Sequence, residues 1–424
     1  MRLSGIEGGF LRAGLPGTIG SATLYTGKPF DLAELRSRVG ERWGALDRMH
    51  QVLQPPPRSA ALSGHRWAFA GPFDPAAHVT ACAEELQSLL AAAVVRRLPP
   101  DRPLWQLLVP KPAPTGEQPL VLLAHHALLD GSSLTTLLRL LMDDPTIRVR
   151  APKPAQTPPR PRVPFTNLIK EWHNSNALGQ PLPLAPGECR PAVTVTRLDP
   201  TVMRSARRQP ATGRGATLNE LLLSALAGAL PTCYDALSSR SCDAAPLYAR
   251  VPVDLRSPYE AQTLGTLITA IRVPLPVDTD SPADRLRTCQ HLLSALNRRC
   301  HAHRAALPVL EGMSRAAPWL TTALTRRMTR PDVNTAVCTA FKWRYGPSRL
   351  HGRRLTGIVA LPPLSPRASV NLALAQNAET YTLTVVSHLR PGDSQLIADT
   401  VAEELTTMAV MSASHGECAV ESAE

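Results

Sequence analysis

The chain has 424 residues, 44% hydrophobic and 19% charged, which is the composition of a globular protein with two or three domains or one large two-lobed fold. The formal net charge is +12, but the basic residues are dispersed and form no dense or aromatic-interleaved patch, which disfavours nucleic-acid binding. No apolar run reaches the roughly 18 residues that span a bilayer, and the first residues lack the apolar core of a signal peptide, so a cytoplasmic protein is expected.

The first part of the chain alternates strand and helix patterns. Ala22–Tyr25 is typical of a strand, and Asp31–Arg42 and Ala81–Val95 are typical of helices. Leu120–Ala124 is an apolar run of strand length, which predicts a buried strand. The pattern after it predicts a helix with one apolar face, made of Leu134, Leu137, Leu138 and Leu141.

A proline-dense segment divides the chain. Ala151–Pro164 is so rich in proline that it disfavours both a helix and a central strand, which predicts an extended linker. A short helix is expected around Phe165–Leu178. We therefore predict an N-terminal lobe over residues 1–148, a proline-rich interlobe linker over 149–189 and a C-terminal lobe over 190–424.

The second part of the chain also mixes both element types. Thr217 and Glu220 have the spacing of a capping box, which predicts a helix at this position. Ser281-Pro282 has the residues that open a helix, and Asp393 is expected to cap the last one. Strands are expected at Val193–Leu198, Tyr248–Val253, Leu267–Val273 and Tyr381–Ser387. The predicted fold class is α/β or α+β.

The most informative segment is the corner between the predicted strand at 120–124 and the helix that follows it. It holds His125, His126, Asp130 and Gly131. An imidazole beside a fixed carboxylate is a way to build a general base. Adjacent histidines point in different directions, so only one of them should line a cavity. The plainer interpretation of either residue is a structural histidine with satisfied hydrogen bonds.

Local chemistry at the corner suits a change from strand to helix. Gly131 suits a tight turn, and Ser132 or Ser133 can cap the helix. A metal site would want a histidine four residues away or a third ligand nearby, and neither is obvious. The scattered cysteines form no CxxC pair, so no zinc or redox site is predicted.

A family resemblance becomes specific at this string. His125–Gly131 matches the HHxxxDG motif of the CoA-dependent acyltransferase superfamily, which includes chloramphenicol acetyltransferase-like enzymes and peptide-synthetase condensation domains. Asp101–Trp105 precedes the motif, and Ala216–Glu220, Val251–Arg256 and Val273–Pro276 follow it. With these segments, nearly the whole chain resembles the wax ester synthase/diacylglycerol acyltransferase family.

The resemblance implies two chloramphenicol-acetyltransferase-like lobes with a substrate tunnel between them. It implies that His126 is the general base, with His125 in support, and that Asp130 holds the loop through an ion pair with an arginine. Arg256 is the candidate for that arginine, and Arg48 is the alternative. No acyl-enzyme is expected, because no serine of the corner lies in a GxSxG elbow.

The matching segments add candidates for substrate binding or site support, namely Gly131, Arg256, Trp105 and Asn219. Trp105 is expected to be mainly a packing residue. Asn219 either supports the active-site face or merely occupies the first helical turn, and both interpretations stay open. Glu220 is better explained as a capping residue than as a catalytic acid.

Two segments depart from the family pattern. The family usually carries a Thr-Asn-Val-Pro-Gly-Pro-like segment and a Ser-Tyr-x-Gly strand, whereas Val337–Phe341 and Gln376–Ala378 occupy those regions here. They lie in the lobe that helps to shape the tunnel. The chemistry is therefore expected to be retained, while the substrate preference is open.

The function implied is transfer of an acyl group from acyl-CoA to an alcohol, with the thioester as co-substrate and no other cofactor. One alternative is a condensation-like tailoring enzyme that forms an ester or amide from a CoA-bound or carrier-protein-bound acyl group. Another is a non-catalytic scaffold of the same fold. Expected partners are acyl-CoA, a hydroxyl or amine acceptor and, in the first alternative, an acyl carrier protein. Peripheral contact with a membrane stays open.

Overall fold

The computed structural model describes residues 1–55, 65–144, 163–184, 189–208, 214–237, 246–257, 260–378 and 380–421. Its helices are α1 (Gly5–Arg12), α2 (Leu32–Trp43), α3 (Leu86–Val95), α4 (Gly131–Leu141), α5 (Phe165–Asn176), α6 (Pro200–Arg207), α7 (Leu218–Leu237), α8 (Pro282–Ser294), α9 (Leu296–Ala316), α10 (Pro318–Met328) and α11 (Asp393–Glu421). Its strands are β1 (Thr18–Thr26), β2 (Gln51–Gln54), β3 (Arg66–Phe69), β4 (Val79–Ala81), β5 (Trp105–Val109), β6 (Gln118–His125), β7 (Arg190–Leu198), β8 (Tyr248–Asp254), β9 (Ile268–Pro274), β10 (Ala336–Trp343), β11 (Arg349–Leu350), β12 (Arg353–Leu361), β13 (Val370–Asn377) and β14 (Thr380–Leu389).

The first lobe is built on a six-stranded sheet in the order β11-β12-β1-β6-β5-β4. Its central strand β6 is covered on both faces, because Leu122 packs in the cluster that includes α2 and α4, and Leu123 packs in the cluster that includes α3. This double burial explains why β6 is a continuous apolar run in the sequence. β11 and β12 come from late in the chain, and Gly20 of β1 pairs with Leu361 of β12.

The second lobe is built on another six-stranded sheet, in the order β7-β14-β13-β10-β8-β9. One face carries the largest apolar cluster, which contains residues of α7, α8 and α11. The opposite face meets the first lobe, because Val193 of β7 and Val386 of β14 pack in one cluster with Leu123 of β6 and Val359 of β12. The mixed helix and sheet composition and the two-lobe arrangement confirm the predicted fold class.

Most predicted elements are present with shifted ends. The strand at 22–25 is the middle of β1, and the helix at 31–42 is α2. The helix predicted from Ala81 begins only at Leu86, because 79–81 pair with β5 as the edge strand β4. Asp393, which was expected to cap the last helix, is the first residue of α11, and its carboxylate accepts the backbone N–H of Arg390.

Of the predicted linker over 149–189, residues 149–162 and 185–188 lie outside the described residues, and the short helix expected near Phe165 is present as α5. The lobe boundaries at 148 and 190 stay a prediction, and the placement of β11 and β12 in the first sheet shows that residues 349–361 belong structurally with the N-terminal part. Of the described helices, none combines the length and the apolar character needed to cross a membrane.

Candidate active site

The candidate site lies where β6 ends and α4 begins. Asp130 is the N-cap of α4, and its carboxylate accepts the backbone N–H of Ser133 at 2.9 Å. The prediction that Ser132 or Ser133 caps this helix was therefore wrong, because the aspartate one turn earlier already takes the free N–H. Gly131 is the first residue of α4 and does not adopt a left-handed backbone. A Cβ at Gly131 would meet nothing within 4 Å.

His125 is the last residue of β6, and its ring is held locally. Its Nδ1 accepts the backbone N–H of Ala127 at 3.0 Å. Gly17, at a φ of +70°, lies so close that a Cβ there would be 2.7 Å from His125 Nε2. Burial, together with the neighbouring His126 and Arg97, lowers the pKa of His125 to about 4. His125 is thus a neutral, fixed side chain that supports the corner.

His126 is buried, and its backbone is fixed on both sides. Its N–H donates to the Gly17 carbonyl at 2.7 Å, and its own carbonyl accepts the hydroxyl of Thr266 at 2.6 Å. The ring stacks on Phe10 of α1, with 3.9 Å between centroids and 14° between planes. Its Nδ1 is shielded from solvent and has no hydrogen-bond partner among the described residues.

The electrostatic setting of His126 favours the neutral imidazole. Burial lowers its pKa from the ordinary value of 6.5, and the negative charge of Asp130 opposes this only in part. A neutral imidazole can accept a proton, whereas an imidazolium cannot. The corner therefore holds a histidine that is ready to act as a base at neutral pH.

Asp130 is fully buried and its carboxylate is saturated. Arg256 donates to both oxygens, through Nη1 to Oδ2 at 2.7 Å and through Nη2 to Oδ1 at 3.1 Å. The backbone N–H of Leu267 adds a bond to Oδ2 at 2.9 Å. Burial by itself would lower the pKa of Arg256, but Asp130 and Asp254 raise it above the usual value. The pair ties the first lobe to the second.

Two neighbouring groups complete this connection. The Ser133 hydroxyl donates to the Gly265 carbonyl at 2.8 Å and accepts the Gly265 N–H at 3.0 Å. Arg48, the alternative partner of Asp130, instead donates to the carbonyls of Leu128 at 2.8 Å and Ala127 at 3.1 Å. It also forms a buried ion pair with Glu7 of α1. The structure thus joins Arg256, and not Arg48, to Asp130.

The other two predicted residues lie away from the His126 ring. Trp105 is completely buried, donates its indole N–H to the Met49 carbonyl at 3.0 Å and stacks on His78 at 4.1 Å between centroids. Trp105 belongs to the apolar cluster that also contains Leu122 of β6. Asn219 lies in the first turn of α7, and its Oδ1 is buried without a partner among the described residues. No hydrogen bond between described residues connects it to the corner.

Glu220 has the structural role expected for it. Its carboxylate accepts the backbone N–H of Thr217 at 2.8 Å, and the Thr217 hydroxyl accepts the Glu220 N–H at 3.3 Å. Arg214 pairs with the same carboxylate at 2.7 Å and helps to lower its pKa, although burial alone would raise it. This group is engaged as a cap and carries no free proton-transfer function.

Phe10, Gly17 and Thr266 are contacts of the histidines that the sequence interpretation missed. Phe10 lies in α1, a helix that begins with a capping box between Ser4 and Glu7. The Ser-x-x-Glu spacing was therefore a readable signal for that helix. Nothing in the local sequence indicates that Gly17 or Thr266 faces the corner, because both contacts are long-range.

The described residues contain no group of three or more His, Cys, Asp or Glu side chains placed to hold a metal ion. What the corner offers instead is one neutral imidazole, that of His126, on a frame fixed by hydrogen bonds from both lobes. Such an arrangement can take a proton from a bound hydroxyl or amine.

Comparison with protein families gives matches at both lobes. The model of the wax ester synthase/diacylglycerol acyltransferase catalytic domain matches residues 17–223, and that of the WS/DGAT C-terminal domain matches residues 264–409. A probable diacylglycerol O-acyltransferase of Mycobacterium tuberculosis is 30% identical over 236 residues, which are 48% of this chain and 50% of the relative. The match therefore spans about half the length of that relative. A putative diacylglycerol O-acyltransferase of the same species is 26% identical over 71% of this chain and 72% of its own length.

Solved structures of the same shape cover almost the whole chain. The wax ester synthase/diacylglycerol acyltransferase of Marinobacter aquaeolei superposes with a TM-score of 0.63 at 18% identity, over 97% of this chain and 100% of the other. The first condensation domain of the calcium-dependent antibiotic synthetase gives 0.68 at 16% identity, over 96% of each chain. At these identities the likeness concerns the fold.

Proposed function

The chain belongs to the wax ester synthase/diacylglycerol acyltransferase family, and from that premise we propose that it transfers an acyl group from an acyl thioester to a hydroxyl acceptor, with His126 as the general base. The observation that carries the proposal is the state of the His126 ring. It is buried, held neutral and bonded to no described side chain, while its backbone is fixed from both lobes.

The reaction needs one proton acceptor in a water-poor site. The neutral His126 ring takes the proton of the acceptor hydroxyl as that oxygen attacks the thioester carbonyl. A carbon–oxygen bond forms, the tetrahedral intermediate expels the thiolate, and the carbon–sulfur bond breaks. The imidazolium then returns its proton to the departing sulfur, so that the products are an ester and a free thiol. General-base help of this kind is worth about 10²–10⁴-fold in rate.

The neighbouring groups position His126 and do not react. The Asp130 carboxylate is occupied by Arg256 and two backbone N–H groups, which makes it a fixed negative charge that stabilises the imidazolium. Ser132 donates its hydroxyl to Asp254 at 2.6 Å and Ser133 is bonded to Gly265. Direct transfer without an acyl-enzyme is the mechanism that fits these contacts.

The donor in this proposal is acyl-CoA, and the acceptor is an alcohol such as diacylglycerol or a fatty alcohol. The basic net charge of +12 suits a phosphate-bearing donor in general terms. A donor bound to an acyl carrier protein and an amine acceptor are the alternatives that the same chemistry allows. Parallel assays with acyl-CoA and acylated carrier protein separate them.

The decisive experiment is a panel of acyl-CoA donors with alcohol and amine acceptors, read by mass spectrometry for ester or amide and for free thiol. We expect His126→Ala to lower kcat by about 10²–10⁴-fold with little change in thermal stability. His301→Ala, which removes an exposed histidine of α9, is the matched control and should keep full activity.

Full activity in His126→Ala would refute the proposed mechanism. Absence of any thioester-dependent product from the wild-type chain across the whole panel would favour the non-catalytic scaffold.

A further inference from the structure

Two arginines lie opposite each other at one edge of the second sheet, on the edge strand β9 and its neighbour β8, far along the chain from the histidine corner. Arg250 of β8 is the cross-strand partner of Arg272 of β9. Directly opposed like charges destabilise a sheet unless something else neutralises them. An arginine pair at such a position therefore needs an explanation.

The strand register places this pair on the face of the sheet that looks toward the first lobe. Val386 packs in the apolar cluster between the lobes. Residues paired across neighbouring strands lie on the same face of a sheet. Val386 pairs with Asn371 on the neighbouring strand, and Asn371 pairs with Val337 on the next. Val337 in turn pairs with Arg250, and Arg250 pairs with Arg272. Both guanidinium groups therefore belong to the interlobe side.

Arg272 is partly held by its surroundings. Its Nε donates to the Val333 carbonyl at 2.6 Å, its Nη1 donates to the Asn174 carbonyl at 2.8 Å, and its guanidinium lies 3.3 Å from the centre of the Tyr248 ring. Its Nη2 is shielded from solvent and meets no acceptor among the described residues. One donor thus remains unused on a side chain that is otherwise fixed.

Arg250 is far less satisfied. Its Nε and Nη2 are both shielded from solvent without an acceptor among the described residues. None of the ion pairs between described residues includes Arg250 or Arg272, so no described carboxylate neutralises them. Burial, together with the charge of Arg272, lowers the pKa of Arg250 to about 10. Burial likewise lowers the pKa of Arg272 to about 10.

A buried charge without a partner is among the costliest features that a protein can carry. Three shielded donors on two neighbouring guanidinium groups are also the arrangement that binds a phosphate or carboxylate through charge-assisted hydrogen bonds. The pair is within reach of an extended substrate. Arg272 comes six residues after Thr266, whose hydroxyl bonds to the His126 carbonyl, and six residues span about 20 Å at the rise of a strand.

We propose that Arg250 and Arg272 form an oxyanion-binding site on the interlobe face, which holds a phosphate or carboxylate group of a substrate while its reacting end lies at His126. The proposal rests on the proposed acyl-transfer function for its substrate. Two sources could supply the anion, either the phosphates of the thioester donor or an acidic group of the acceptor.

The first test uses melting temperatures to decide whether Arg250 binds a ligand or only supports the fold. Arg250→Met removes a charge that has no described partner, so in sodium chloride its melting temperature should equal or exceed that of the wild type. Inorganic phosphate at matched ionic strength should raise the melting temperature of the wild type more than that of Arg250→Met. Arg287→Met, which removes an exposed guanidinium of α8, is the control for general salt effects and should respond as the wild type does.

The second test identifies the source of the anion by comparing kcat/KM for matched substrates with and without an anionic group. The two donors carry the same acyl group, on CoA or on pantetheine without phosphate. The two acceptors differ only in a carboxylate. Arg250→Met should lose about ten- to a hundredfold in kcat/KM on the anionic member of one pair and little on its neutral partner.

Several results would overturn the site. One is a lower melting temperature of Arg250→Met in chloride, and another is an equal phosphate response in both proteins. Arg250→Met could also keep the wild-type selectivity for both substrate pairs while transfer still depends on His126. That result would refute the anion site and leave the proposed function standing. If no transfer is found at all, the proposed function fails, and the phosphate response still decides the anion site.

Discussion

The two ends of the β8–β9 pair differ in how their arginines are satisfied. Just beyond β8, Arg256 meets Asp130 through two bonds and also donates to Ser133 at 3.1 Å and to the Gly265 carbonyl at 3.0 Å. Six residues earlier, Arg250 has two shielded donors without a described acceptor. A saturated buried charge is part of the architecture, whereas an unsaturated one needs a separate explanation, which for Arg250 is the proposed anion site.

The same distinction separates the two histidines of the corner. His125 is bonded through Nδ1 and packs against Gly17, while His126 has a fixed backbone and a ring whose Nδ1 has no hydrogen-bond partner among the described residues. Substitution of the saturated groups should therefore cost stability. Substitution of the unsaturated ones should cost activity or binding.

The largest stability effect is expected for Arg256→Met. It leaves Asp130, which is completely buried, without its counter-charge. Breaking a buried ion pair from one side typically costs about 3–5 kcal/mol, which urea unfolding followed by circular dichroism would measure. Arg287→Met is the matched control at an exposed pair and should change stability by less than about 1 kcal/mol. Equal effects in the two variants would contradict the distinction between the two ends of β8.

A smaller loss is expected for Gly17→Ala. The left-handed backbone at +70° and a Cβ that would lie 2.7 Å from His125 Nε2 both oppose the side chain. Strain of this kind costs about 1–3 kcal/mol, visible as a lower melting temperature. Gly71→Ala is the control, since it shares a positive φ but has no neighbour within 4 Å. A difference between the two variants measures the packing of His125, and identical losses would show that only the backbone matters.

Phe10→Leu should act on activity more than on stability. The substitution removes the aromatic stack on His126 but keeps an apolar side chain in α1. Such stacks are worth about 0.5–1.5 kcal/mol, so kcat should fall by up to about tenfold. Phe69→Leu, at a phenylalanine that is 65% exposed, should leave kcat unchanged. A Phe10→Leu enzyme with wild-type kcat would show that the stack only fills space.

The smallest effect is a displacement of the pH profile. Burial lowers the pKa of His126 below 6.5, so the neutral base persists to more acidic pH, and kcat/KM should fall only as pH drops through that lowered value. Stability follows a related course. The unfolded chain protonates its histidines near 6.5, whereas folded His125 does so at about 4, so the unfolding free energy should decrease as pH falls between these values. An acid limb of kcat/KM at or above 6.5 would contradict this assignment.

Several features could be predicted from neighbouring residues alone. β6, α2, α4 and the capping box of Thr217 and Glu220 follow from apolar periodicity and local hydrogen-bonding residues. The helix α4 was predicted, but its cap was assigned to Ser132 or Ser133 instead of Asp130, because all three residues are acceptable caps and only the backbone geometry selects one. The edge strand β4 was missed, because a strand of three residues depends on its neighbour β5 and not on its own pattern.

The corner, its two histidines and the family resemblance could all be predicted from the amino-acid sequence, because they depend on residues that are close together along the chain. Only the tertiary structure decided that Arg256 and not Arg48 meets Asp130, at a separation of 126 residues. It also decided that Phe10 stacks on His126 and that Arg250 faces Arg272 on the interlobe side. These contacts depend on strand register and lobe packing, which join distant segments by burial and leave no local pattern in either one.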